Sequence, residues 1–177
     1  TTTGPTGGIT GKFGNGGDFD EVNDDVLTGG SSKWNTLTNA TISFWVKPDA
    51  VAGTAHILNN YASSTDQWGF RWTSTNFIQL YDDIDNAGYT GCQASLTPGT
   101  WYHITGTLND NGDGTYKNQL YINGVSQNCS HNSSASWSSY SGNLYIGAST
   151  SSSGFFDGTI DDVRIYNRSF SPNEISQ

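Results

Sequence analysis

Apolar residues recur along this chain in short runs with near period-two alternation, and no stretch sustains a 3.6-residue period. Thr41-Ile42-Ser43-Phe44-Trp45-Val46-Lys47 alternates and stops at Pro48. Trp68, Phe70 and Trp72 put three aromatics on one strand face. His56-Ile57-Leu58 reads as a short strand, and Phe77–Tyr81 follows the turn-like Ser74-Thr75-Asn76. A further strand runs from Trp101 to Leu108, and Lys117 to Asn123 pairs back from it across the turn Asn109-Asp110-Asn111-Gly112-Asp113-Gly114. Asn123-Gly124 is a second turn signal, and Asn143–Gly147 and Gly158–Tyr166 complete the strands. Only Ser171 to Ser176 suits a helical turn, Thr1 to Thr10 reads as a loose leader, and Ser130 to Ser141 as a Ser-rich loop between strands. Many short strands punctuated by Gly, Asn and Asp predict an all-β, two-sheet antiparallel sandwich over residues 1–177, as a single domain.

Composition narrows the setting. The net charge is −9, which disfavours nucleic acid and anionic membrane and supplies carboxylates for a hard cation. No apolar run approaches a membrane span, so no membrane insertion is expected. The chain has no Met and no signal peptide, and reads as a module excised from a larger secreted protein, extracellular or on the cell surface. Its two cysteines, Cys92 and Cys129, lack His partners at zinc-ligand spacing. In an oxidising setting they read as a disulfide contributing roughly 3–4 kcal/mol in the chain-entropy model; two unrelated buried thiols are the alternative.

Four blocks in order give the chain a family likeness. They are Gly11-Lys12-Phe13-Gly14-Asn15-Gly16-Gly17-Asp18-Phe19-Asp20; Ile42–Pro48; Trp101-Tyr102-His103-Ile104 with Leu120-Tyr121-Ile122-Asn123-Gly124; and Phe156–Arg168, containing Asp157-Gly158-Thr159-Ile160-Asp161-Asp162. Together they resemble the laminin-G-like, concanavalin A-like jelly-roll domains of bacteria and archaea. One departure is Glu21, where members commonly carry Gly. The resemblance implies two face-to-face sheets, frequently a calcium ion at the sandwich edge, and a glycan or protein ligand. It also implies Asp20 and Asp161 as the side-chain calcium ligands, with backbone carbonyls nearby, and core packing for Trp45 and Trp101. Simple alternation puts Asp161 on the face of Val163 and Ile165, where a carboxylate needs a cation or N–H donors; capping of backbone N–H groups is the alternative role.

Catalysis is not expected. Glucanases of this fold use two Glu on one strand, and retaining glycosidases need carboxyl groups about 5–5.5 Å apart. The only glutamates here are Glu21 and Glu174, near opposite ends. A lyase needs His and Tyr on one groove, whereas Tyr102 and His103 are adjacent and point to opposite faces. Lectin-like carbohydrate binding is the expected function, since aromatic faces stack on sugar C–H patches while polar groups take the hydroxyls. Trp72, Tyr81, Asp82, Asp83, Tyr89 and Trp137 are the candidate ligand contacts, with core packing as the competing role for each aromatic. Asp24-Asp25 and Asp82-Asp83-Ile84-Asp85-Asn86 read as solvated loop acids, a second cation site or sugar contacts. The alternative function is a cell-surface adhesion or spacer domain that binds protein and has no sugar site.

Overall fold

The computed structural model describes residues 4–28, 37–64, 66–84, 90–133, 142–150 and 152–177. Among the described residues, thirteen strands and one short helix follow in chain order: β1 Thr6–Thr10, β2 Asn15–Asp20, β3 Val26–Leu27, β4 Ala40–Pro48, β5 Thr54–Ser63, β6 Asp66–Thr73, β7 Phe77–Ile84, β8 Thr90–Ser95, β9 Tyr102–Asp110, β10 Tyr116–Ile122, β11 Val125–Ser133, β12 Asn143–Ile146, β13 Asp157–Tyr166 and α1 Pro172–Ile175. A seven-stranded sheet orders as β1-β2-β13-β4-β9-β10-β11 and a six-stranded sheet as β3-β12-β5-β6-β7-β8. Every strand pairing is antiparallel. The two sheets share one apolar core, so the chain is the expected all-β sandwich.

Alternation decides which side chains enter that core. On β4, Ile42, Phe44 and Val46 are fully buried, and on β6 so are Trp68, Phe70 and Trp72. Phe44 meets Phe70 edge-on across the sheets with ring centroids 5.0 Å apart. Burial of each such side chain contributes about 1.5–3 kcal/mol. Cys92 and Cys129 form a disulfide with Cα atoms 5.4 Å apart. It joins β8 to β11, the edge strands of the two sheets, and so closes one side of the sandwich covalently. Among the described residues, no helix is long and apolar enough to cross a membrane.

Several local expectations are corrected. The leader contains β1, which pairs with β2 as an edge strand. The stretch around His56 is a ten-residue strand rather than a short one, because its polar second half pairs on both sides. β11 runs to Ser133, so the Ser-rich stretch begins as strand. Trp45 and Trp101 are only partly buried: Trp45 shares its parity with Ser43 and Lys47, pairs with His103, and faces outward. Asp161 also faces outward, opposite Trp45, while Ile165 pairs with Ile42 of the core. The reason is a bulge between Asp161 and Arg164, with Asp162 in the left-handed region at φ 50. An Asp tolerates that conformation better than most residues, and Asp161 Oδ1 accepts the Asp162 N–H at 2.7 Å. Glu21 occupies its turn at φ 61, a left-handed conformation that Gly would adopt without a Cβ penalty. Asp24 and Asp25 are buried rather than solvated.

Candidate functional site

Cross-strand pairing sorts the outward residues of the six-stranded sheet. His56 lies opposite Arg71, Asn59 opposite Gly69, and Tyr61 opposite Gln67. On the next strand, Gln67 lies opposite Asp83, Gly69 opposite Tyr81, and Arg71 opposite Gln79. Gln79 then faces Gln93, and Tyr81 faces Gly91. Directly paired residues point to the same side, so these form one amide-rich face with Tyr81 near its centre. Gly69 and Gly91 flank Tyr81, and a Cβ at either would run into a neighbouring strand's carbonyl, that of Leu58 or Leu80. The two positions directly opposite Tyr81 therefore carry no side chain.

The Tyr81 hydroxyl is a hub. It donates to Asn59 Oδ1 at 2.6 Å and lies 3.0 Å from His56 Nδ1 and 3.4 Å from Gln67 Oε1. The hydroxyl has one proton, and the shortest contact takes it, so His56 Nδ1 is the donor to the hydroxyl oxygen. Burial, with a smaller push from the Arg71 charge, drives the His56 pKa down to about 3. The ring is therefore neutral at physiological pH. Asn59 Nδ2 donates onward to the Ser149 carbonyl at 2.9 Å. The Arg71 guanidinium sits 5.0 Å from the Tyr81 ring centroid, and its Nε donates to Gln79. Asn59, Gln67, Tyr81 and Asp83 are buried, whereas Arg71 and Gln79 are half-buried and Gln93 is exposed.

Asp83 departs from this satisfied pattern. It is only 4% exposed, yet its Oδ1 accepts no hydrogen bond. A buried carboxylate oxygen left without a partner is costly, and such atoms are normally paired or meet a ligand. Asn60 and Asn118 also carry an unpartnered carbonyl oxygen, but both sit at inward positions.

Of the sequence candidates, Tyr81 and Asp83 share this face. Trp72 does not: it is fully buried in the core, with Nε1 donating to the Asp49 carbonyl at 2.9 Å. Asp82 also points inward, because its parity is that of Ile78 and Leu80. It accepts from Asn118 Nδ2 at 2.7 Å and lies 3.4 Å from His131 Nε2, tying β7 to β10 and β11. Tyr89 and Trp137 lie outside the described residues. Sequence reasoning missed His56, Asn59 and Gln67, which carry no motif and acquire a role only through pairing around Tyr81.

The rim acids rearrange as well. Asp20 lies opposite Asp157, and Asp161 is four residues further along β13. At about 3.3 Å per residue, Asp20 and Asp161 are too far apart to meet on one ion. Asp161 instead caps, its Oδ2 accepting the Phe13 N–H at 2.8 Å. Asp157 lies among acids: burial, then Asp49, Glu21, Asp18 and Asp20, raise its carboxyl above the usual carboxylate range.

A family model described as the concanavalin A-like lectin/glucanases superfamily, Laminin_G_3, matches residues 16–176. The chain belongs to this superfamily. Solved structures agree on the fold at low identity. Domain 4 of an extracellular GH43 arabinanase from Geobacillus stearothermophilus, in complex with arabinotriose, is 19% identical with a TM-score of 0.72, covering 94% of this chain and 77% of that one. The CBM40 of Ruminococcus gnavus IT-sialidase, bound to α2,3 sialyllactose, is 15% identical with a TM-score of 0.68, covering 91% of this chain and 94% of that one. A Trypanosoma rangeli sialidase in complex with 2,3-difluoro-KDN is 19% identical with a TM-score of 0.67; 91% of this chain matches 26% of the sialidase. No curated protein sequence matches the chain. This superfamily includes both binding domains and enzymes, so its fold leaves the ligand to the residues on the sheet faces.

Proposed function

We propose that this chain is a non-catalytic, extracellular carbohydrate-binding module, and that its glycan contacts the outer face of β5, β6 and β7. The carrying observation is Asp83, a buried carboxylate with an unpartnered oxygen on a face otherwise made of amides and a tyrosine hub. Sugar hydroxyls are the complementary donors, and the half-buried Arg71 and Gln79 extend the contact surface. The two structural relatives that bind arabinotriose and sialyllactose support the reading. The disulfide favours an oxidising compartment. Glu174 has the wrong chemistry for a general acid: hydrogen bonds from Ser171 and Arg168 hold its carboxyl at about 2, permanently ionised at neutral pH. The test is calorimetric titration with a glycan panel that includes arabino-oligosaccharides and sialyllactose, on the wild type and Asp83→Asn. Loss of binding in a variant that melts no lower than wild type is the expected result. Binding of the neutral arabino-oligosaccharides undiminished by Asp83→Asn overturns the assignment of this face, and absence of any saccharide ligand favours protein adhesion.

Calcium belongs to the same proposal, at the β2–β13 rim. Like charges directly opposite each other destabilise a strand pair, and Asp20 faces Asp157 in this way. A hard cation with oxygen ligands relieves that repulsion. Among the described residues, no three side chains of the metal-ligating types gather closely enough to hold a metal unaided. Asp20 and Asp157 would therefore be joined by main-chain carbonyls and water. At calcium one hundred times its Kd, the stabilisation is about 2.7 kcal/mol. The expected outcome is a melting temperature that rises with calcium, falls with chelator, and loses this response in Asp157→Asn. A melting temperature indifferent to calcium and chelator rejects the site.

A further inference from the structure

The other sheet carries a second concave feature. On the outer face of the seven-stranded sheet, a cleft of about 420 Å3 is bounded by Lys12, Trp45, Trp101, His103 and Asn123, with Ile175 of α1 among its walls. Its size falls in the range of small-ligand sites. Elsewhere this face is covered: Thr41 Oγ1 donates to the Arg168 carbonyl and accepts the Phe170 N–H, both at 2.8 Å, so the C-terminal segment lies across it. Trp45 and Trp101 remain only partly buried. An outward sheet position is ordinarily polar, and two half-exposed indoles in one cleft are not needed for the core.

A cationic side chain lies beside each ring. Lys12 Nζ lies 4.4 Å from the Trp45 ring centroid, and Lys47 Nζ lies 5.9 Å from that of Trp101. Among the described residues, the ion pairs involve His131, Arg164 and Arg168, so neither lysine has a carboxylate partner. This holds in a chain with 16 acidic and only 7 basic residues. Acids share this face without pairing with either lysine: Asp161, opposite Trp45, accepts two backbone N–H groups, and Asp162 accepts the Arg164 Nε. His103 stacks obliquely on Trp45 at 5.1 Å between centroids, and burial pushes its pKa down. Asn123 is exposed; its Oδ1 accepts the His103 N–H at 2.9 Å, which orients the side-chain amide and leaves Nδ2 as a donor.

We infer that this cleft is a second saccharide site, selective for an anionic sugar whose C–H face packs on Trp101 and Trp45 while its acid group takes the Lys12 ammonium and the Asn123 amide. A neutral sugar stacking here would displace ammonium groups from the indole faces without replacing their attraction, whereas an anionic sugar pairs with them. Lys47, beside Trp101, adds to the positive field that draws the anion in. This site lies on the other sheet from the β5–β7 face and shares no residue with it. The inference therefore stands whether or not that face binds glycan.

The experiment is a titration of the full chain, followed by tryptophan fluorescence and calorimetry, with trigalacturonate, a sulfated galactan oligosaccharide and neutral galactotriose. An anionic oligosaccharide is expected to bind at least tenfold more tightly than galactotriose, and several-fold more weakly at 300 mM than at 20 mM salt. The carboxylated and sulfated arms tell which acid group is preferred. Trp101→Ala and Lys12→Ala should each reduce that affinity about tenfold, while Asp83→Asn leaves it unchanged. Lys12 is exposed, so its variant tests the site without disturbing the core. No binding of either anionic oligosaccharide at millimolar concentration overturns the inference. So does binding insensitive to both Trp101→Ala and Lys12→Ala.

Discussion

The two outer faces of this sandwich invert the usual relation between polarity and exposure. The β5–β7 face is built from His, Asn, Gln, Tyr and Asp, yet most of those side chains are buried. The opposite face carries tryptophans, and these are the half-exposed residues. Burial is tolerable on the first because most of its polar atoms satisfy one another: one hydroxyl joins His56 to Asn59, and an amide chain continues to Ser149. Exposure is tolerable on the second because an ammonium lies near each indole, at 4.4 Å from Trp45 and 5.9 Å from Trp101. The first face is ordered by hydrogen bonds that are expensive to break. The second is held by contacts that exchange readily with a ligand.

Removing the Tyr81 hydroxyl should break this contrast most severely. Tyr81→Phe leaves His56 and Asn59 without their shared partner in a buried setting, at a cost of about 2–3 kcal/mol. For a chain of this length, that is a fall of roughly 5–10 °C in Tm. A drop below about 2 °C, measured by calorimetry with the disulfide intact, would mean that the hub contributes little to order on this face.

Much of this contrast is legible in the sequence, and the omissions have physical causes. The period-two pattern that sends Trp68, Phe70 and Trp72 inward also separates the neighbours Asp82 and Asp83, since only Asp82 shares parity with Ile78 and Leu80. The same rule turns Trp45 outward, with Ser43 and Lys47. The family likeness to a core strand pulled Trp45 the other way, and parity was the better guide. Asp161 could not be placed by parity, because the bulge at Asp162 inserts a residue and reverses the alternation. His56, Asn59 and Gln67 were illegible for a different reason: their roles come from which strands lie side by side, and a single sequence does not specify that order.

Acid should act on the polar face before the aromatic one. His56 is held neutral in the fold, with its pKa lowered from 6.5 to about 3. The unfolded chain therefore binds the extra proton first, and stability present above pH 6.5 is lost as the pH falls towards 3. The maximum slope is about 1.4 kcal/mol per pH unit. Asp157 acts with the opposite sign: its carboxyl is raised in the fold, so protonation favours the folded state as the pH falls. That group is half-buried, and its effect is partly screened by solvent. Denaturant midpoints between pH 7 and 4 should decline in the wild type and flatten in His56→Gln. Equal slopes in the two proteins would remove His56 as the source.

The smallest effect is expected from the aromatic face, and it tests the contrast most directly. Trp101→Ala removes a large side chain, which in a core would cost about 3–5 kcal/mol. At a half-buried outward position, most of that transfer and cavity penalty is absent, and the expected loss is less than about 1 kcal/mol. The control is Trp72→Ala, whose ring is fully buried and whose Nε1 holds the Asp49 carbonyl. If both variants lose several kcal/mol in urea, Trp101 is a structural residue and the two faces differ only in composition. If Trp72→Ala unfolds the chain while Trp101→Ala melts near wild type, the Trp101 indole is dispensable for folding and remains available to a ligand.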